Sequence, residues 1–385
     1  MSPLELLTES HVKDQSTWFE IDRSALQHNL KQITQNTMPS ASIMAMVKAN
    51  AYGHGLLPVV DAIRERVSYF GVASIDEALA IRSREVDQPI LLFGVPRGAA
   101  IEAAIQNEIA IAVSSIEQAR EISGCGALLN KPAAIHIKID TGMGRLGIHK
   151  AQALAAIFEI AKLEWLKVEG IFTHFPQGAE ENDSFTKEQI QSFFKIVDQA
   201  DEKGIHFAYR HAANSIGIAH YKDAHLTLVR PGLTLYGLYP AASLKQKLHL
   251  KPVLSWRARL ILIKKLTKGE SAGYSRTFMA EQDTHIGIIP VGYSHGYPFS
   301  LSNKSSVLFQ GKEFPVVGRV SMDYIAVNLG AETHAQVGDV VTLIGRDGDA
   351  EISCEALADK AGTISYEIVT RLNPFIPRIT IISPS

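Results

Sequence analysis

Between Ile43 and Val229 the chain carries eight short apolar runs of strand length, alternating with stretches that place apolar residues at helical spacing. The strand-like runs are Ile43–Val47, Tyr69–Ala73, Ile90–Phe93, Ile109–Val113, Ala134–Ile139, Val168–Thr173, Phe207–Tyr209 and Leu226–Val229. Between them, Leu57–Val67, Asp76–Arg84, Ala99–Gln106, Ile116–Ile122, Ala151–Leu163 and Phe185–Ala200 carry the helical period, and the stretch after Asn214 is the weakest. Strand and helix in alternation imply a parallel sheet, because a crossover long enough to return the chain is needed between parallel neighbours. Eight units favour a closed (β/α)8 TIM-type barrel over an open doubly wound sheet, and no dinucleotide-type glycine fingerprint follows the first strand. Barrel chemistry sits at the C-terminal ends of strands, which is where Lys48, Lys138, His174, His211 and Arg230 fall.

Beyond Gly237-Leu238-Tyr239-Pro240 the pattern changes to apolar runs separated by short turns: Ala258–Ile263, Ile286–Val291, Val307–Phe309, Phe314–Val317, Ile325–Leu329 and Val340–Ile344. A helix is expected over Cys354–Ala361 and a last strand at Arg378–Ile382. At the other end, Trp18–Asp22 reads as a short strand, and Ser24 stands where it would cap a helix reaching Ile33. The expected division is an N-terminal arm over 1–16, a barrel over 17–240 and a mainly β domain over 241–385. A chain of 385 residues with 46% hydrophobic content can fill two such cores. A net charge of −2 leaves no electrostatic footprint for nucleic acid or an acidic membrane, so a small-molecule partner is expected. Cys125 and Cys354 are the only cysteines, which excludes a disulfide framework, suggests no zinc site and fits a reducing compartment. The first residues lack a signal-like apolar core and no run reaches membrane-spanning length, so a soluble cytoplasmic protein without a metal is expected.

Lys48 closes the first barrel strand and opens a small-residue segment, Ala49-Asn50-Ala51-Tyr52-Gly53-His54-Gly55. A lysine drawn into an apolar mouth either pairs with an anion or loses its proton, and a neutral amine is a nucleophile toward aldehydes. Lys48 is therefore a candidate for a Schiff base with pyridoxal phosphate, the alternative being a lysine that snorkels from a strand end. Asn214-Ser215-Ile216-Gly217 and Arg230-Pro231-Gly232-Leu233 follow the seventh and eighth strands, where barrels frequently bind phosphate; Ser215 and the amides of Gly232 and Leu233 are the natural donors. An arginine at the pyridine nitrogen cannot give up its proton, so Arg230 would hold that nitrogen unprotonated and leave proton transfer to placed bases. Asp140–Gly147 is glycine-rich without a phosphate-loop pattern and reads as a tight loop carrying Arg145. Tyr274, in the turn Gly269–Phe278, serves as a general base if neighbouring cations depress its pKa; otherwise it is a structural loop tyrosine.

Together these residues resemble the alanine racemase family. The resemblance rests on Val47–Gly55, Asp140–Gly147, Thr173-His174-Phe175, His211–Ser215, Val229–Gly237, Ala272–Phe278, Gly292-Tyr293, Gly318–Asp323 and Ile364–Glu367, in order along essentially the whole chain. It implies a head-to-tail homodimer in which each site takes its lysine from one subunit and its tyrosine from the other. It assigns Lys48 as the aldimine lysine and the base on one face, and Tyr274 as the base on the opposite face. His174 is placed on the cofactor ring and His211 is assigned to hydrogen-bond near Arg230 and the tyrosine, while Tyr52, Ser215, Gly232, Leu233 and Tyr366 hold the phosphate. Arg145 is assigned to cofactor and substrate carboxylate, and the Met322 backbone to that carboxylate. Lys138, which aligns with a lysine carbamylated in many members, orients Arg145; Tyr293 and Asp323 are supporting, with Tyr293 and Tyr366 narrowing the pocket. The reaction implied is interconversion of L- and D-alanine, with D-alanine going to peptidoglycan. Two features depart from the family pattern: Gly292–Phe299 has His295 in place of the usual aspartate and Phe299 in place of the usual arginine, and Phe175–Glu180 also differs. They line the access path in the family, which keeps a serine, lysine or broad-specificity racemase as the alternative, ahead of a related decarboxylase or a non-catalytic pyridoxal phosphate carrier.

Overall fold

The computed structural model describes residues 14–178, 180 and 183–383. Most of the expected N-terminal arm and position 179 of the divergent segment lie outside these residues. The chain divides into two compact units: Gln27–Ala51 with Val59–Leu250, and Lys251–Ser385 with Tyr52–Pro58 and the chain up to Leu26.

The first unit is the barrel. Strands β2 (Ser42–Met46), β3 (Tyr69–Val72), β4 (Ile90–Leu92), β5 (Ile109–Val113), β6 (Ala133–Asp140), β8 (Leu166–Phe172), β9 (Tyr209–His211) and β10 (Leu228–Val229) form one sheet in the order β10-β2-β3-β4-β5-β6-β8-β9. A short β7 (Ile148–His149) adds to β6 off this path. Every pair in that order is parallel, and a parallel bridge between Asn214 and Arg230 brings the two ends of the sheet together. The result is a near-closed eight-stranded barrel. β3, β4 and β5 are buried at every residue, as expected of strands covered on both faces. Helix starts are set by local side chains: Ser74 and Glu77 form a capping box at Ile75–Arg82, and Asp183 accepts from the Thr186 amide at Ser184–Glu202. The weak stretch after Asn214 is a short helix, Ser215–His220, capped by Asn214. The seventh strand begins two residues later than expected, at Tyr209 rather than Phe207, so that His211 is its last residue.

The second unit is mainly β. Its strands are β1 (Thr17–Asp22), β11 (Leu254–Arg259), β12 (Leu262–Leu266), β13 (Ser271–Ala272), β14 (Phe278–Met279), β15 (Thr284–Ile289), β16 (Ser306–Phe309), β17 (Lys312–Val317), β18 (Ile325–Gly330), β19 (Val340–Asp347), β20 (Ala350–Ile352) and β21 (Arg378–Ile381). The main sheet has the order β12-β15-β18-β17-β16-β19-β11-β1-β21, with β20 beside β19, while β13 and β14 pair with each other. β1 pairs antiparallel with β11 and parallel with β21, so residues 17–240, expected as one barrel domain, are shared between the two units. Trp256 Nε1 donates to Thr17 Oγ1 at 2.8 Å and stacks at 5.1 Å from Phe19, which fastens β1 there. The following helix, Arg23–Asn36, is capped by Asp22, whose carboxylate accepts from the Ala25 amide, rather than by Ser24. No helix among the described residues is long and apolar enough to cross a membrane.

Candidate active site

Lys48 stands where β2 leaves the barrel, and the chain beyond it turns in the unusual hand. Ala49, Asn50, Ala51 and Tyr52 all lie near φ +53°, a left-handed turn that costs an L-residue roughly 1–2 kcal/mol each. Such strain persists only where surrounding contacts over-determine it. Glu77 supplies one: its Oε1 accepts the Asn50 amide at 3.1 Å, while its Oε2 accepts the amides of Ala73 and Ser74. The Ala51 amide donates to the Val47 carbonyl. Past the turn, Arg378 Nε and Nη2 donate to the Gly53 carbonyl at 3.1 and 2.9 Å, fixing the segment within the β unit. Burial lowers the Lys48 pKa, the positive charges of Arg145 and Arg230 lower it further, and Glu77 opposes them. The fold therefore moves this amine toward its neutral, nucleophilic form.

β6 presents its residues alternately. Ile135, Ile137 and Ile139 share one face, and His136, Lys138 and Asp140 the other. Lys138 is pushed down to about 8 by burial and by Arg145 and Arg230, and its Nζ sits 5.8 Å from the Phe172 ring centroid. The loop beyond β6 is tight: Asp140 accepts the Gly142 and Gly144 amides, and a Cβ on Gly147 would lie 2.9 Å from the Asp140 nitrogen. Arg145 leaves from that loop.

Arg230 is buried at the end of β10, and burial lowers its pKa to about 9. Its partners are neutral: Nη1 donates to His211 Nδ1 at 2.9 Å, and Nη2 donates to the carbonyls of Thr173 (2.8 Å) and Ala212 (3.0 Å) and approaches His174 Nδ1 at 3.4 Å. Both histidines are held well below their usual pKa by burial and by Arg230, hence uncharged. The His211 ring lies parallel to Phe172 at 4.8 Å, and with Nδ1 on Arg230 and Nε2 2.8 Å from His136 Nδ1 both of its nitrogens are engaged inside the barrel, rather than one reaching the tyrosine as expected. Ser215 Oγ accepts from the Gly232 amide at 2.9 Å and from Thr234 Oγ1 at 3.0 Å. The Gly232 amide, expected to face a phosphate, is thus engaged by Ser215, and Leu233 is buried beside it.

The barrel end therefore brings Arg145 and Arg230 close enough to Lys48 and Lys138 for their positive charges to depress both lysine pKa values, with Ser215 buried beside Gly232. That set fits a phosphorylated, anionic aldehyde such as pyridoxal phosphate: its anion would relieve the crowded positive charge, and Lys48, moved toward its neutral form, would be the amine to hold its carbonyl carbon.

In the β unit, Tyr52 and Tyr366 form a tilted pair with centroids 6.2 Å apart, and burial raises both phenol pKa values. Tyr274 begins a turn in which Ser275 and Arg276 have positive φ, and it is 71% exposed. The Met322 and Tyr293 loops are laced together: the Tyr293 amide donates to the Ser321 carbonyl, the Ser294 amide to the Met322 carbonyl, and Ser294 Oγ to Asp323 at 2.9 Å. A Cβ on Gly292 would fall 2.3 Å from the Met322 and Ser321 oxygens, which accounts for the glycine. Met322 and Tyr293 are 55% and 47% exposed. His295 turns inward, its Nδ1 accepting from the Gly292 amide, and burial lowers its pKa against the pull of Asp323. Phe299 is half exposed.

Sequence reasoning missed Glu77, Arg378 and His136. Glu77 was visible as the last residue of a Ser-x-x-Glu capping box, and His136 as the residue two before Lys138 on the same strand face. Nothing local marks Arg378.

An alanine racemase N-terminal domain model matches residues 21–240 and an alanine racemase C-terminal domain model residues 253–380. The chain is 38% identical to the alanine racemase of Desulforamulus reducens over 367 residues, 94% of this chain and 98% of that protein. It is also 38% identical to that of Methanococcus maripaludis over 365 residues, with the same shares covered. The solved alanine racemase of Clostridium difficile 630 superposes with a TM-score of 0.92 at 32% identity, covering 96% of both chains. The Bacillus anthracis alanine racemase, solved with bound L-Ala-P, superposes at 0.89 with 32% identity over 95% of both.

Proposed function

This chain belongs to the alanine racemase family, a pyridoxal phosphate-dependent family of isomerases, and from that premise we propose that it interconverts L- and D-alanine with Lys48 and Tyr274 as the two bases. The observation that carries the reading is the lowered pKa of Lys48 beside a buried Arg230 whose partners are all neutral. Pyridoxal phosphate, when bound, supplies the electron-withdrawing ring that makes the substrate α-proton acidic. Lys48, His174, Ser215, Arg230, Leu233, Arg145, Tyr52 and Tyr366 are the residues that would hold it.

The chain's own part is to bind, orient and move protons. Arg145 and the Met322 backbone hold the substrate carboxylate, and Lys138, when carbamylated and so negatively charged, steadies Arg145. Lys48 takes or delivers a proton at Cα from one face and the Tyr274 oxygen does so from the other. Because the two act from opposite faces, a removed proton is replaced on the far side and the centre inverts; exchanging the roles runs the reaction backwards. Arg230, protonated at neutral pH and able only to donate, would hold the pyridine nitrogen unprotonated, which leaves the work to these bases. The exposure of Tyr274, Met322 and Tyr293 supports a head-to-tail homodimer in which Tyr274 serves the partner's site. On this reading the enzyme is cytoplasmic and its D-alanine goes to peptidoglycan.

The test is incubation of the holoenzyme with L-alanine, L-serine and L-lysine in deuterium oxide, following Cα exchange and chirality together. Deuterium at Cα with D-alanine as the main product is expected. In Tyr274→Phe, inversion falls by about 10²–10⁴-fold while one enantiomer keeps exchanging its α-proton, since one base remains. Equal loss of exchange in both enantiomers contradicts the two-base assignment, and faster turnover of serine or lysine transfers the reading to those substrates.

A further inference from the structure

Behind the Arg230–His211 pair, a third buried ring continues the hydrogen-bond chain. His136 Nδ1 is 2.8 Å from His211 Nε2, and His136 Nε2 lies 3.5 Å from the Tyr69 hydroxyl. His136, His211 and Tyr69 are fully buried and come from different barrel strands, β6, β9 and β3. The barrel is adapted to this ring. The β6–β8 register shifts between Ile135 and His136, and the residue opposite is Gly170, where a Cβ would fall 2.5 Å from His136 Nδ1. Tyr209 stacks on the imidazole at 5.5 Å and 19°, and Tyr69 meets its edge.

The donors and acceptors along this chain have only one consistent assignment. A guanidinium can only donate, so His211 Nδ1 must accept from Arg230 Nη1. A neutral His211 then carries its proton on Nε2 and donates it to His136 Nδ1, leaving the His136 proton on Nε2, toward Tyr69. Burial beside Arg230 keeps both rings neutral, with His136 pushed down to about 3.

We propose that His136 is a positioning residue: by accepting the Nε2 proton it locks His211 in one tautomer and orientation, and so holds the Arg230 guanidinium aimed at the cofactor's place. Without that acceptor a buried N–H is left unmet, His211 turns to find another partner, and Arg230 loses the bond that fixes its Nη1. The catalytic consequence rests on the racemase reading; the tautomer does not.

The experiment is nitrogen NMR of 15N-histidine-labelled holoprotein, with kcat and KM measured on the same samples. Wild type is expected to show His211 and His136 as neutral Nε2–H rings. His136→Phe keeps a ring against Tyr209 but removes the acceptor; it should lose the single His211 tautomer and about ten- to a hundredfold in kcat, with a smaller change in KM. His136→Asn, whose Oδ1 replaces Nδ1 as acceptor, should recover most of both. A wild-type His211 protonated on Nδ1 overturns the proposal even if His136→Phe does not fold. So does a His136→Phe variant with unchanged tautomer and kcat, or an Asn variant no better than Phe. Should wild type fail to racemise alanine while the His211 tautomer still depends on His136, the functional reading falls and the histidine assignment stands.

Discussion

Replacing Gly53 by alanine tests whether the strained turn after Lys48 is seated as tightly as its geometry implies. Gly53 has φ +80°, and a Cβ there would lie 1.8 Å from the Val369 carbonyl oxygen and 2.8 Å from its carbon. Val369 belongs to helix Ser365–Thr370, which carries Tyr366. Even a close C···O contact needs about 3.3 Å, so turn or helix must move by roughly 1.5 Å. A left-handed alanine costs ~1–2 kcal/mol and overpacking a further ~1–3, partly offset by ~0.4–1 from the stiffer unfolded chain, which nets about 2–4 kcal/mol. At an unfolding entropy of about 2.1 cal/mol/K per residue, that lowers Tm by about 3–5 °C. Gly362→Ala is the control. It has φ +72° with nothing within 4 Å of its would-be Cβ, so only the backbone cost applies and Tm falls by about 1 °C. Calorimetry of both variants measures the difference, and dialysis against cofactor-free buffer measures retention. With Tyr52 and Tyr366 displaced, Gly53→Ala should lose pyridoxal phosphate at least tenfold faster, on the order of one lost charge-assisted hydrogen bond. If Gly53→Ala melts within a degree of Gly362→Ala and retains cofactor equally well, the steric reasoning is refuted.

Glu77→Gln removes the negative charge that raises the Lys48 pKa, so the acidic limb of the kcat/KM profile should move to lower pH; a limb that stays or moves up contradicts the assignment. The same change weakens the Asn50 and capping contacts and should cost about 0.5–2 kcal/mol in thermal unfolding. Lys138 has a folded pKa of about 8 against an ordinary 10.5, so the folded state binds fewer protons between those values and stability rises with pH there. Lys138→Met, measured in carbonate-free buffer, should melt above wild type at pH 7, with the advantage shrinking from about pH 8 to 10.5; a constant difference across that window contradicts the shift.

The eight strands and their helices were legible because hydrophobic period is a local property, and position at strand ends then singled out Lys48, Lys138, His174, His211 and Arg230. Their partners were not legible, since a residue's own neighbourhood carries no record of what the fold brings against it. β1 reads as a strand from Trp18 and Phe19, but only the sheet decides that it joins β11 and β21 rather than the barrel. Ala49 and Ala51 favour a right-handed helix by intrinsic propensity. Glu77, 27 residues away from Asn50, holds the opposite hand on one side, and Arg378, 325 away from Gly53, anchors the chain beyond it. The sequence by itself determined the architecture and the inventory of chemical groups. Tertiary structure alone decided which of them are buried together, and burial beside like charge is what turns Lys48 toward a nucleophile and His211 into a fixed neutral acceptor.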